Sequence, residues 1–270
     1  MIDYLYDGTF EGLLTCVYHH YYTDKAAGIY TKEDYQPSFL QGSMAVETEG
    51  DKAARVYDAI SAKISDYALR MIYRAYLSSI PGKEMIILNY VVLGFRIGPS
   101  IGSMRALPEV LALEQITKKI SVEKERMLQF VRFEVMKAEA PAAGAYPAAE
   151  QNEGVPETEI LYAKIEPDHD VLELAANHFA QRFSHDPLII HDIRRNKAVV
   201  AYEGDWYITD FDGTSLPDGS SLVMSDAELQ YQNLWRTYFD HIAIKERINS
   251  RCQKNHMPVR YWKHLTEVNG

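Results

Sequence analysis

The sequence predicts an α+β protein: a mainly antiparallel sheet of about five strands in the C-terminal half, covered by helices, beside a helical N-terminal region that opens with one strand. Three observations predict it. Apolar residues recur at helical spacing through most of residues 9–128. From Phe130 onward, short runs rich in β-branched and aromatic residues replace them. Two of those runs are joined by Glu203-Gly204-Asp205, a hairpin signal. The expected division is 1–128 and 129–270, with one continuous domain as the alternative.

In chain order, residues 2–6 form a short apolar run that stops at Asp7-Gly8, after which Thr9 caps a helix carrying Phe10, Leu13, Leu14, Val17 and Tyr21. The polar stretch 23–50 reads as a connection, with Phe39 and Leu40 in a short strand. Val56, Ile60 and Ile64 make one helical stripe; Ser65 caps the next helix, which bears Leu69, Ile72, Tyr73 and Tyr76 and ends before Pro81-Gly82. An apolar segment at 85–95 halts where Gly94, Gly98, Pro99 and Gly102 cluster, and a helix from Pro108 carries Val110, Leu113, Ile116 and Ile120 toward Leu128. FVRFEV (130–135) and ILYAKI (160–165) read as neighbouring strands flanking an Ala/Pro/Glu/Gly-rich insertion at 138–158, whose composition offers little apolar surface with which to order itself. A helix over 171–183 follows, then strands at LII (188–190), KAVVAY (197–202) and WYITDF (206–211). Ser225 and Glu228 match a capping box for a long amphipathic helix through Trp235 and Tyr238 to Ile242. No internal repeat is present.

With 270 residues, 47% of them hydrophobic, the chain is long enough for a substantial core. Cys16 and Cys252 form neither a CxxC pair nor a cluster triad, so no cofactor or metal is expected on this chain's own cysteines, and a reducing cytoplasm fits. The acidic start MIDYLYDGTF is unlike a secretory signal, and no stretch of ~20 apolar residues is expected to cross a membrane. No phosphate-binding glycine loop, dinucleotide fingerprint or nucleophile elbow occurs.

Charge is the most informative feature for function. Residues 245–264, KERINSRCQKNHMPVRYWKH, hold six Lys/Arg and one acid, whereas the remaining chain carries 22 bases against 37 acids and the whole has a net charge of −10. Positive potential focused on an acidic protein suits a polyanion, because neutralised phosphates release their counterions. Arg247, Arg251, Lys254, Arg260 and Lys263 are the candidate phosphate ligands. Tyr261 or Trp262 is the candidate stacking face, and Arg194 and Arg195 extend the track. The structural alternative has the basic stems covering a helix end, with Tyr261 and Trp262 in the core.

Candidate chemistry gathers at His191-Asp192, which leave a buried strand just before the two arginines. The alternative for Asp192 is pairing with Arg194 or Arg195 and capping the turn. His178 and Arg182 share a helical face that can converge with His191. Glu166, Asp168, His169 and Asp170 can hold Mg²⁺, though Asp168 or Asp170 as N-cap of the following helix explains them with less. No residue spacing specifies a reaction.

The phrases YDGTFEGLLT (6–15), HFAQRF (178–183), PLIIHDIRRNKAV (187–199), YQNLWRTYF (231–239) and IAIKERINSRCQKNHMPVRYWKHLTE (242–267) together resemble a bacterial family labelled probable DNA metabolism protein, a domain of unknown function encoded beside a radical SAM protein of DNA modification or repair. Some relatives resemble proteins fused to a uracil-DNA glycosylase-like domain. The resemblance implies a context of DNA repair and no catalytic residue; relative to it, 138–158 is an extra insertion.

The leading expectation is therefore a DNA-binding accessory protein working with a radical SAM partner. The alternatives are an enzyme acting on DNA through His178, His191 and Asp192, and a protein-interaction scaffold whose basic block faces an acidic partner.

Overall fold

A computed structural model describes residues 1–37, 41–139, 159–213, 216, 220–247 and 249–268. The chain divides into two compact units, Met1–Val122 and Glu123–Gly270.

The first unit opens with β1 (Ile2–Tyr6) and α1 (Phe10–Tyr22), whose Thr9 cap accepts the Gly12 N–H at 2.9 Å. β2 (Ala26–Thr31) and β3 (Ser43–Ala45) flank β1, both parallel to it, giving the order β2-β1-β3. This small parallel sheet corrects the expectation of a single strand followed by a linker at 23–50. Its strands are short and lack clean alternation, so the periodicity of the stretch is weak. The predicted strand at Phe39-Leu40 lies outside the described residues.

Next come α2 (Gly50–Lys63), α3 (Asp66–Tyr76), α4 (Lys83–Ile97) and α5 (Pro108–Phe130). Ser65 caps α3 by accepting the Ala68 N–H at 3.1 Å. The core of this unit joins Tyr4, Leu13, Ile60, Ile72, Leu88 and Val91, all at most 1% exposed. α4 with its following 3-10 turn, Lys83–Ser103, is long and apolar enough by length and composition to cross a membrane, contrary to the expectation that no such stretch exists. Its Ile87, Leu88 and Val91 are fully buried in the core.

The second unit begins within α5. FVRFEV does not form a strand at its start: Phe130 closes α5, and β4 runs only over Glu134–Glu139. The β-propensity of Phe130 and Val131 yields to the helical periodicity that precedes them. Then come β5 (Glu159–Ile165), α6 (Leu172–Arg182), β6 (Leu188–Asp192), β7 (Lys197–Tyr202), β8 (Asp205–Asp210), β9 (Ser221–Met224), α7 (Asp226–Ile242) and α8 (Ser250–His256). The sheet order is β8-β7-β6-β5-β4-β9. All pairings are antiparallel except β5 with β6, which the crossover helix α6 makes parallel. The sheet is thus mixed, mostly but not wholly antiparallel, and six-stranded because β9 joins the edge at β4.

Glu203 and Gly204 both have positive φ (54° and 87°), the geometry of a two-residue type I′ turn, and they close the predicted β7-β8 hairpin. α6 packs on β6, β7 and β8, while Tyr162, Ile189, Ala198 and Phe211 form a separate cluster that contains no α6 residue. Strand alternation therefore places Ile190 and Asp192 toward α6 and Ile189 and His191 on the opposite face.

Candidate nucleic-acid interface

Geometry splits the basic block. Arg260 donates from Nη2 to Glu123 Oε1 at 2.8 Å and pairs through Nη1 with Asp168. Glu123 is 2% exposed and also accepts the backbone N–H groups of Asp168 (2.9 Å) and His169 (2.8 Å), so one buried carboxylate fixes both the acidic turn and the C-terminal segment. Lys263 pairs with Glu166, whose carboxyl this contact holds below its usual range, and His264 Nε2 lies 3.5 Å from the same carboxylate. Leu265 is wholly buried behind them.

Arg247, Arg251 and Lys254, in contrast, are exposed and make no ion pair with a described residue. Asn249 caps the N-terminus of α8 with its side chain, accepting the Cys252 N–H at 3.0 Å, and the helix presents Arg251 and Lys254 one turn apart.

The predicted stacking aromatics are engaged internally. The Tyr261 ring meets Phe130 at 5.7 Å and carries the Arg260 guanidinium at 5.1 Å, and burial pushes its hydroxyl pKa up. Trp262 donates Nε1–H to the Met257 carbonyl at 3.0 Å.

Arg195 donates to Asp192 Oδ2 (2.8 Å) and to the carbonyls of Pro167 (3.2 Å) and Asp168 (2.8 Å). Asp192, fully buried, accepts the Arg194 and Arg195 N–H groups at 3.1 and 3.3 Å and thereby caps the β6-β7 turn. Arg194 lies 3.4 Å from Asp168. The acids at 166–170 do not cap α6, whose N-cap is Val171 with no side-chain bond, because Asp168 is taken by arginines and Asp170 by Lys197 at 2.5 Å. Among the described residues no group of three His, Cys, Asp or Glu is placed to hold a metal ion.

His191 is 3% exposed; its Nδ1 lies 2.9 Å from the Tyr162 hydroxyl and its ring meets Phe211 edge-on at 4.9 Å. Burial lowers its pKa, with Asp192 and Asp212 opposing. Burial also pushes Tyr162 up to about 12. Beyond Phe211 and Asp212 opens a cavity of about 520 Å³ that Asn196, Thr209 and Asp210 also line. His178 is exposed, on the helix that covers the other face of the sheet, so it and His191 do not share a site.

Two adjoining cavities had no single motif to announce them. One, of about 200 Å³, is lined by Arg132, Lys164, Arg236, Lys263 and His264, with Glu134 on its wall. The other, of about 290 Å³, is lined by Phe133, Tyr231 and Trp235; the two share Arg132, Glu134, Gln232 and Thr266. α7 creates this arrangement by packing through its polar side. Glu228 is buried and Gln232 and Arg236 are half-buried, one turn apart, while Tyr231, Leu234 and Tyr238 face outward. Glu228 fixes the helix by accepting the Val135 N–H (3.3 Å) and the Gln232 amide (2.9 Å).

No curated protein matches the chain in sequence. In structure it is similar to the pGpG-specific phosphodiesterase PggH from Vibrio cholerae at 8% identity and a TM-score of 0.35, covering 90% of this chain and all of that one; a score this low carries nothing about fold or activity. Residues 81–267 match a domain-of-unknown-function family, which leaves the YDGTFEGLLT phrase outside the match and says nothing of DNA metabolism. Because that match spans well over half of the sequence, the chain belongs to the DUF4130 family.

Proposed function

We propose that this chain is a DNA-binding accessory protein of a repair or modification pathway, with backbone phosphates contacted by Arg247, Arg251 and Lys254. The observation that carries the reading is the division of the basic block. Arg260 and Lys263 are consumed by buried or half-buried carboxylates, whereas Arg247, Arg251 and Lys254 are exposed and without a carboxylate partner among the described residues, on a chain of net charge −10. Exposed cations concentrated on an otherwise acidic chain suit a polyanion. The radical SAM partner enters from the family resemblance, and any radical step is assigned to it. The test is the Arg247→Ala/Arg251→Ala/Lys254→Ala variant. Its DNA affinity falls and its log–log salt slope flattens by about 3, one per lost phosphate contact; unchanged affinity and slope overturn the assignment.

A second reading, an enzyme acting on DNA, has one observation behind it: His191 is bonded to Tyr162 close to the cavity lined by Asp210 and Asp212. It predicts a product from damaged or single-stranded DNA that is lost in His191→Ala, and turnover surviving in that variant removes His191 from it.

A further inference from the structure

We infer that the two joined cavities beside α7 bind a phosphorylated nucleotide, its terminal phosphate between Lys164 and Arg236 and its base against Tyr231 and Trp235. This deepens the nucleic-acid reading for a strand end, and stands without it for a free mononucleotide.

Arg132, Lys164, Arg236, Lys263 and His264 line the smaller cavity with Glu134; Lys263 is paired with Glu166 and Arg132 lies 4.0 Å from Glu267, which leaves Lys164 and Arg236 as the cations without a carboxylate partner among the described residues. Two of the cations are held in place before any ligand arrives. Arg236 donates from Nε to the Thr266 carbonyl and from Nη1 to Asn233 Oδ1, each at 3.3 Å. Arg132 donates from Nη1 to the carbonyls of Gln129 and Val131, each at 3.3 Å, and its Nη2 lies 4.0 Å from Glu267. Lys164 is exposed, makes no ion pair with a described residue, and has its Nζ 5.6 Å from the centre of the Tyr162 ring. His264 Nε2 is buried and makes no hydrogen bond, although Glu166 lies 3.5 Å away. Fixed donors bind an anion without first having to be ordered.

The charge selects the ligand. A phosphomonoester carries about −1.5 to −2 at pH 7, whereas each internal diester of a strand carries a single negative charge. The two cations without a carboxylate partner, Lys164 and Arg236, therefore match a terminal phosphate better than a passing backbone. The neighbouring cavity supplies aromatic faces at contiguous range, as a nucleotide requires: Trp235 is 38% exposed and Tyr231 63% exposed, and stacking on such faces is tolerant of base identity.

The experiment uses the full chain and fluorescence anisotropy with oligonucleotides of one sequence bearing a 5′-phosphate, a 3′-phosphate or hydroxyl groups at both ends. Inorganic phosphate, a nucleoside monophosphate and the parent nucleoside serve as competitors and as thermal-shift ligands. One phosphorylated oligonucleotide is expected to bind about tenfold more tightly than the hydroxyl-ended one at equal salt. That ratio collapses toward one in Lys164→Glu and, as a milder change at the same exposed side chain, in Lys164→Ala. It survives in Arg251→Ala, which weakens all three oligonucleotides together. Trp235→Ala reduces competition by the monophosphate more than competition by inorganic phosphate. Equal affinity for all three ends overturns the strand-end site, as does a ratio that survives both Lys164 variants. Should no oligonucleotide bind, the DNA reading fails by itself: a monophosphate that raises the melting temperature of the wild type but not of Lys164→Glu then sustains the cavity as a mononucleotide site, and the lack of any such shift overturns it.

Discussion

Arg260 and Glu123 are 137 residues apart in sequence and 2.8 Å apart in space, and their contact joins the C-terminal segment to the last turns of α5. Because Glu123 is buried and also holds two backbone N–H groups of the 166–170 turn, loss of the arginine strands a charge inside the unit. Arg260→Ala is therefore expected to cost about 2 kcal/mol, less than for a fully buried pair since a third of the arginine side chain meets solvent. Arg251→Ala, on the exposed α8, changes stability by less than ~0.5 kcal/mol. Urea midpoints of the two variants check this; equal midpoints contradict it.

Acid sensitivity follows from the buried imidazole of His191. Its pKa is lowered in the folded chain, so the unfolded chain binds more protons below about pH 6.5, and stability falls as pH drops from there through the folded value. Above that range the group contributes no slope. His191→Phe, which keeps an aromatic ring beside Phe211, removes up to about 1.4 kcal/mol per pH unit of that dependence. Chemical denaturation at pH 7.5, 6.5 and 5.5 reads the difference, and parallel wild-type and variant profiles contradict the assignment.

Gly213 has φ of +83°, and a Cβ there would stand 2.8 Å from His191 Cε1. Gly213→Ala thus incurs both a left-handed backbone cost and a clash, together about 2 kcal/mol. Thermal melts test it, and an unchanged midpoint contradicts the packing of this loop over His191.

Cys16 is wholly buried, with its thiol pKa pushed up to about 12, whereas Cys252 is exposed. A thiol reagent at pH 8 is expected to modify one cysteine per folded chain rapidly, and the second only after unfolding. Cys252→Ser removes the fast phase; two fast equivalents in the folded chain contradict the burial.

Local signals in the sequence were legible where one short segment contains both partners. Thr9, Ser65 and Ser225 cap the helices they announce, although the reciprocal half of the Ser225/Glu228 box does not form because the Ser225 N–H goes to the Val135 carbonyl and Glu228 accepts from Val135; Glu203-Gly204 makes the two-residue turn that its composition demands. Features that depend on distant partners were not. The parallel sheet of the first unit rests on β2 and β3, too short and irregular to show a period of two, and β9 is recognisable only once β4 is there to pair with it. The same division runs through the candidate site. Concentration of positive charge at 245–264 is a property of composition, but which cations are spent inside the fold depends on Glu123 and Glu166, far away in sequence. Likewise α7 reads as an amphipathic helix, but which side packs depends on Glu228, which accepts the Val135 N–H of β4 and the Gln232 amide.

The measurement that bears most directly on the central claim is a fluorescence-anisotropy titration of the full chain with single-stranded and duplex DNA across a salt series. Saturable binding whose affinity falls steeply with salt, with a log–log slope of about −3 attributable to Arg247, Arg251 and Lys254, is the predicted result. An absence of binding even at low salt contradicts the account and leaves the exposed cations of α8 to a protein surface instead.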